Sequence, residues 1–194
     1  MHDKVRPQRS RANRRGFGLG VFVGVAALWV ACELPYVNWR RLVPPIDTAP
    51  LIVRQDAKGD GHFGAPRSGR RRHRGVDLLA PLGSPVRAIQ SGRVTQVGTH
   101  RGLGHFVELV HRHDLTSLYA HLATTQVQQG DRVTQGQVIG TVGKTGNARH
   151  PWISPHVHVE VARGGAVIDP ATLGLQVLAS TPVTEQQANG TGGN

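Results

Sequence analysis

The segment SPHVHVEV, residues 154–161, sets two imidazoles two positions apart in a run of valines. In a strand, residues i and i+2 point to the same side. His156 and His158 then share one face, and Val157, Val159 and Val161 the other. Two adjacent imidazoles can be buried, hydrogen-bonded, or aimed at a metal ion, and partners elsewhere in the chain decide between these. The richest candidate is RRRHRGVDLLAP, residues 70–81, where His73 and Asp77 lie four apart. On a helix that pair would meet, but Gly75, Val76 and Pro81 argue against a helix. In a straight strand the two would be ~13 Å apart at ~3.3 Å per residue. Sharing one ion therefore requires a turn near Arg74–Gly75, which glycine permits.

His, Asp and His together form a nitrogen and oxygen set suited to zinc. Three protein ligands leave a fourth position for water, the arrangement of a catalytic rather than a structural site. Zinc lowers the pKa of a bound water and polarises a carbonyl, and a spare histidine can then serve as general base. SLYAHLA, residues 117–123, supplies His121, two after Tyr119, so that both side chains share a face of a regular strand. Spacing alone leaves the roles of His156 and His158 open, because both members of such a pair can bind one metal. The plainer alternatives are a hydrogen-bonded surface pair for His156 and His158, and an ordinary half-buried histidine for His121.

The elements around these residues read as strands. SPVRAIQSGRVTQVG, GHFVELVHRH, SLYAHLA, DRVTQGQVIGTVG and HVHVEVARGGAVI alternate or cluster β-branched residues between glycine turns. QGDRVTQGQVIG reads as a hairpin with Thr134-Gln135-Gly136 at its bend. After the leader no helical stripe longer than about ten residues is visible. With 25 glycines, 12 prolines and few aromatics, the expected fold is all-β, an antiparallel sandwich or partly open barrel. The single cysteine, Cys32, excludes an intrachain disulfide and a cysteine zinc cluster.

The organisation expected along the chain begins with a basic leader, residues 1–15, followed by an uncharged apolar run, 16–32. A proline-punctuated linker follows at 33–55, then the domain at 56–178 and a polar tail at 179–194. The formal charge of +11 is concentrated at the start, where six basic residues oppose Asp3. Nucleic-acid binding is not needed to explain it. The remainder is mildly basic, which suits an acidic polymer as surroundings. As a helix the apolar run would be ~26 Å long, marginal for a hydrocarbon core of ~30 Å. The basic flank keeps the N-terminus cytoplasmic and sends the domain across the membrane. Retained signal anchor, cleaved signal, lipoprotein signal ending in WVAC and twin-arginine signal are all open. The expected location is the cell envelope, with the domain membrane-anchored and facing the periplasm or outside, or secreted.

HRGVD, LYAHL and HVHVE, in that order, resemble the motifs of the M23 zinc peptidases, the lysostaphin-like or LytM-type endopeptidases. The likeness extends through HFGAPRSGRRRHRGVDLLAPLGSPVRAIQSGRVTQVG, QGDRVTQGQVIGTVGKTGN and VIDPATL, from about Gly61 to Leu173. It implies zinc held by His73, Asp77 and His158, with His121 and His156 activating water and stabilising the oxyanion. Tyr119 is a further candidate for oxyanion or substrate contact. The implied substrate is the peptide portion of bacterial peptidoglycan. Valines replace the usual apolar residues of the last motif, and the loop ARHPWIS, residues 148–154, is longer than the pattern.

Two rival readings accompany this one. The first is a non-catalytic domain of the same fold that binds the wall or activates another hydrolase, although all five key residues are present. The second is a carrier domain of biotinyl or lipoyl type, which needs a lysine where this chain has Thr134-Gln135-Gly136. A regulatory partner is left open. HRHD, residues 111–114, is a second H-x-H that reads as a turn. His62 is a candidate for the cleft wall, and His100, His105 and His150 read as loop residues. Arg70-Arg71-Arg72 reads as a solvated patch, or as a contact for an acidic group of the wall polymer.

Overall fold

Glycine- and proline-bounded stretches of β-branched residues form thirteen strands among the described residues of the computed structural model. It describes residues 42–179 throughout, together with residues 28, 31, 32 and 34–38. The first five strands are β1 (Leu51–Val53), β2 (Gln55–Asp56), β3 (Gly59–Asp60), β4 (Gly75–Leu79) and β5 (Pro85–Arg87). The long ones follow: β6 (Gly92–His100), β7 (Gly104–Val110) and β8 (Leu115–Thr125). After them come β9 (Arg132–Val133), β10 (Val138–Val142), β11 (His156–Arg163), β12 (Ala166–Ile168) and β13 (Val177–Ala179). The chain divides after Pro35, and every strand lies in the second part.

Eleven strands make one branched, open sheet with the main order β13-β1-β4-β11-β8-β7-β6-β9. Pairing is antiparallel except between β1 and β13. β12 folds back on β11, β10 pairs with both β8 and β5, and β2 and β3 form a separate two-stranded piece. The fold is thus the all-β, antiparallel, partly open architecture that the alternation predicts. Among the described residues no helix is long and apolar enough to cross a membrane. The expected leader and apolar run fall mostly outside the described residues, as does the tail from residue 180.

Alternation along β11 is the clearest case of sequence dictating packing. Val157, Val159 and Val161 are fully buried in the core with Leu78, Leu109, Tyr119 and Ile139. Each such side chain contributes ~1.5–3 kcal/mol by leaving water. That burial fixes the register, because a slip of one residue would exchange the valine face for the histidine face.

Two expectations are corrected. Residues 33–55 were expected to be a linker, yet Ile46, Leu51 and Val53 belong to the core. The backbone of this segment is also tied down: Val43 N–H donates to Ile89 O at 3.1 Å and Arg87 N–H to Pro45 O at 2.8 Å. A three-residue strand is too short to show periodicity, so β1 left no readable trace. The bend at Gln135–Gly136 is present, with Gln137 N–H bonded to Thr134 O at 3.0 Å. The strands flanking it do not pair with each other, however: β9 pairs with β6, and β10 with β5 and β8.

Candidate metal centre and active site

The centre is assembled on three neighbouring strands. β11 lies between β4 and β8, and His158 stands opposite Asp77 on one side and Ala120 on the other. Directly opposed residues present their side chains on the same face, so Asp77 and His158 meet: Asp77 Oδ1 is 2.8 Å from His158 Nδ1. Gly75 makes this strand pairing possible. A Cβ there would lie 2.3 Å from Val159 O and 2.9 Å from His158 Cε1.

His73 precedes β4 in a segment that doubles back. Its N–H donates to Ala65 O and its carbonyl accepts from Gly64 N–H, both at 2.9 Å. The reversal brings His73 Nε2 within 3.1 Å of Asp77 Oδ1 and 3.0 Å of His158 Nδ1. The ligand atoms of His73, Asp77 and His158 lie within 4.8 Å of one another, and all three residues are buried.

His121 arrives by a different device. Regular alternation would send it to the core side with Tyr119. Instead its backbone takes a left-handed conformation, φ 63°, as the register of β8 shifts against both β7 and β10. Such a bulge re-aims a side chain. The His121 ring stands edge-on to His156, with centroids 5.0 Å apart, and 5.9 Å from His158. The supporting loops pack through glycine: a Cβ on Gly146 would lie 2.2 Å from Gly104 N. Leu103 O accepts from the His121 N–H at 2.8 Å.

Each imidazole has one nitrogen occupied by an outward acceptor. His73 Nδ1 donates to His62 O at 2.8 Å, His156 Nδ1 to Ser154 O at 2.7 Å, and His121 Nδ1 to Thr145 O at 3.0 Å. His158 is reversed, its Nε2 donating to Glu160 Oε1 at 3.2 Å. In the neutral rings the remaining nitrogens carry lone pairs. Those of His73 and His158 converge with Asp77 Oδ1, a spacing that shared protons can bridge and that a bound cation could take over. Zinc bonds of ~2.0–2.1 Å at tetrahedral angles place ligand atoms ~3.3 Å apart. The donor set therefore fits a zinc ion after a few tenths of an ångström of expansion.

Asp77 Oδ2 faces the other way. Arg54 clamps it through Nε at 3.3 Å and a terminal nitrogen at 3.0 Å, and also reaches Asp56. Asp56 in turn accepts from Ser154 N–H at 3.1 Å, two residues before His156. Burial opposes the charge on Asp77, but hydrogen bonds from His158 and His73 hold it well below the usual carboxylate range. Burial likewise opposes protonation of His158, yet Asp77 and Glu160 carry it up to about 9. Burial, reinforced by the neighbouring imidazoles of His156 and His158, pushes His121 down to about 3. Burial also lowers His156.

The structure brings together His73, Asp77, His158, His156 and His121 on the wall of one cleft of about 460 Å³. Tyr119 is not among them, which corrects its expected role. It is fully buried, with its hydroxyl accepting from Ile89 N–H at 2.8 Å and 3.0 Å from Ser117 Oγ. Burial raises its pKa to about 12. His62 contributes its carbonyl to His73 while its ring bonds Asp60. His111 bonds within the core to Ser91 O at 3.0 Å and Ser117 Oγ at 2.8 Å. Arg54, Asp56 and the supporting role of Glu160 escaped the sequence reading. Only the carboxylate at the end of HVHVE, two after a ligand histidine, carried a signal for any of them.

A family model described as "Peptidase family M23" matches residues 71–170. DD-carboxypeptidase/endopeptidase Mpg of Neisseria meningitidis serogroup B is 39% identical over 105 residues, 54% of this chain and 23% of the relative. The chain thus spans about a quarter of the curated relatives it matches. The catalytic domain of the antimicrobial peptidase lysostaphin from Staphylococcus simulans superimposes with a TM-score of 0.51 at 30% identity, covering 59% of this chain and 88% of that one. A zinc-containing peptidase from Vibrio cholerae gives 0.54 at 30% identity, covering 69% and 39%.

Proposed function

The chain belongs to peptidase family M23, and from that footing we propose that it is a zinc-dependent endopeptidase that hydrolyses peptide bonds of bacterial peptidoglycan. The observation that carries this reading is the convergence of His73, Asp77 and His158 beside two further buried imidazoles, His121 and His156, in one cleft. The names of two relatives supply the substrate class: both are called peptidoglycan DD-endopeptidases. The basic leader and apolar run support a location in the cell envelope, with the domain anchored at the cytoplasmic membrane or released beyond it.

His73 Nε2, Asp77 Oδ1 and His158 Nδ1 would hold the ion, which when bound makes water acidic and polarises a carbonyl. The chain's own groups manage the protons. His156 and His121 both commit Nδ1 to main-chain carbonyls, so each offers an Nε2 lone pair. Their depressed pKa values keep both neutral at rest. His156 accepts the proton of the attacking water and returns it to the leaving amine, as a general base that becomes a general acid. His121 accepts a hydrogen bond from the nucleophile's hydroxyl and so holds the tetrahedral intermediate. Glu160 and the main-chain carbonyls keep the rings in orientation throughout.

The test compares zinc content and peptidoglycan digestion for the wild type and His156→Ala. One zinc per chain in both, with cleavage lost in the variant, is the expected result. Loss of zinc with the side chain would make His156 a ligand. Wild-type protein that holds zinc and never cuts wall material would shift the reading to a binding domain or an activator of another hydrolase.

A further inference from the structure

The cleft is unevenly charged. Six cations line it, Arg54, Lys58, Arg67, Arg71, Arg72 and Arg74, against the carboxylates of Asp77 and Glu160. Two of the six are already neutralised: Arg54 by Asp77 and Asp56, and Arg74 by Glu160 at 3.2 Å. The rest of the positive charge comes mainly from one structure, the tight turn just ahead of His73. Pro66 pairs with Arg72, and Arg67 N–H donates to Arg71 O at 2.9 Å. Gly69 and Arg70 take left-handed conformations, φ 70° and 63°, to close it.

The guanidinium groups of Arg71 and Arg72 in this turn are steered by uncharged acceptors, and Arg67 divides its contacts between one such acceptor and Asp77. Arg71 donates to Ser68 O at 3.1 Å and Ser68 Oγ at 3.2 Å, Arg72 to Gly64 O at 3.2 Å, and Arg67 to Pro66 O at 3.1 Å. These acceptors are uncharged, so they order each side chain and leave the charges of Arg71 and Arg72 free for a ligand. A second nitrogen of Arg67 lies 3.8 Å from Asp77 Oδ2, which places this arm against the metal site itself. A merely solvating patch would have no reason to gather on the wall that carries the reacting groups. Planar guanidinium forks match a carboxylate with two parallel hydrogen bonds.

We propose that Arg67, Arg71 and Arg72 form a carboxylate-binding subsite, which selects peptides presenting a free carboxylate beside the scissile bond. The proposal rests on the peptidase reading above and names the chemical class that the cleft prefers. The subsite acts before the chemical step, by docking the substrate, so its signature is in KM and in salt dependence rather than in kcat.

The test uses the purified 194-residue chain, zinc-loaded, and two cross-linked peptide substrates, identical except that one carries free carboxylates and the other carboxamides. The wild type is expected to show a KM about tenfold lower for the carboxylate form, a ratio that shrinks as salt rises. The double variant Arg71→Gln/Arg72→Gln should bind zinc like the wild type and lose that preference. Arg112→Gln, an exposed arginine outside the cleft, should retain it. Equal KM values in the wild type, or a preference that survives the double variant, overturn the subsite while leaving the peptidase reading intact. Cleavage of neither peptide removes both. If inorganic phosphate inhibits with the same arginine dependence while the peptides are not discriminated, the turn is a phosphate site and the proposal falls.

Discussion

Glu160 offers the sharpest test of how the candidate zinc site is built, because its two functions can be separated by substitution. Its carboxylate accepts from His158 Nε2 at 3.2 Å and pairs with Arg74 at 3.2 Å. The first contact fixes the tautomer that leaves Nδ1 as the ligand atom, and the negative charge makes that nitrogen a better donor to a cation. Glu160→Gln keeps an oxygen acceptor and removes the charge, whereas Glu160→Ala removes both. Partners of this kind are worth ~10–100-fold in metal affinity, or ~1.4–2.7 kcal/mol. The glutamine variant should fall near the lower figure and the alanine variant near the upper.

Stability separates these effects from simple damage. The Arg74 side chain is 65% exposed, and exposed ion pairs contribute ~0–1 kcal/mol. At a pH above about 9, where His158 is neutral without metal, the metal-free glutamine variant should therefore unfold within ~1 kcal/mol of the wild type. Zinc affinity measured by competition with a chromophoric chelator, beside urea unfolding of the metal-free protein, gives both quantities. An unchanged affinity in Glu160→Ala would refute the idea that Glu160 orients His158. A large loss of metal-free stability in Glu160→Gln would show that its role is structural.

Gly75→Ala should lower the melting temperature by ~2–12 °C and weaken zinc binding. Its Cβ would fall 2.3 Å from Val159 O and 2.9 Å from His158 Cε1, overpacking costs ~1–3 kcal/mol, and a domain of this size loses ~2–4 °C per kcal/mol; a variant that melts like the wild type would contradict the close approach of β4 and β11. His111 is lowered by burial, so it stays neutral in the fold while the unfolded chain takes up a proton below pH ~6.5. Stability should therefore fall as pH drops below ~6.5, by up to ~1.4 kcal/mol per unit from this group. His111→Gln should flatten that fall in urea titrations at pH 7, 6 and 5, and parallel curves for the two proteins would exclude the buried histidine as its source.

What could be read in the sequence was what period two encodes. Along HVHVEV the histidine and valine faces separate by alternation alone, and valine burial then sets the register that places His158 opposite Asp77. The partnership of His73 with Asp77 was legible as a condition: the chain had to turn before Gly75, and it does. Arg54 was not legible. It lies 23 residues before Asp77, in a segment whose prolines and three-residue strand resemble a linker. Nothing local marks it as the clamp on Asp77 Oδ2. The pairing of β9 and β10 with distant strands was hidden for the same reason, since a turn fixes the local chain reversal without fixing which neighbours the strands choose.

Tyr119 and His121 show the limit most clearly, because alternation there gives the wrong answer for a physical reason. β8 is eleven residues long and borders two different strands along one edge. Its pairing with β11 ends at Ala120, and its pairing with β10 begins at Leu122. One residue must absorb the change of partner, and His121 does so in a left-handed conformation. A non-glycine residue there is strained at a cost of ~1–3 kcal/mol, which the fully buried Tyr119 and Leu122 on either side offset. The residue at the seam lines the same cleft as His156 and His158 at the start of β11. The irregularity that lets a long strand serve two partners thus delivers an imidazole into the cleft. Regular alternation would have turned His121 to the core side with Tyr119 and left the metal ligands with a single spare histidine.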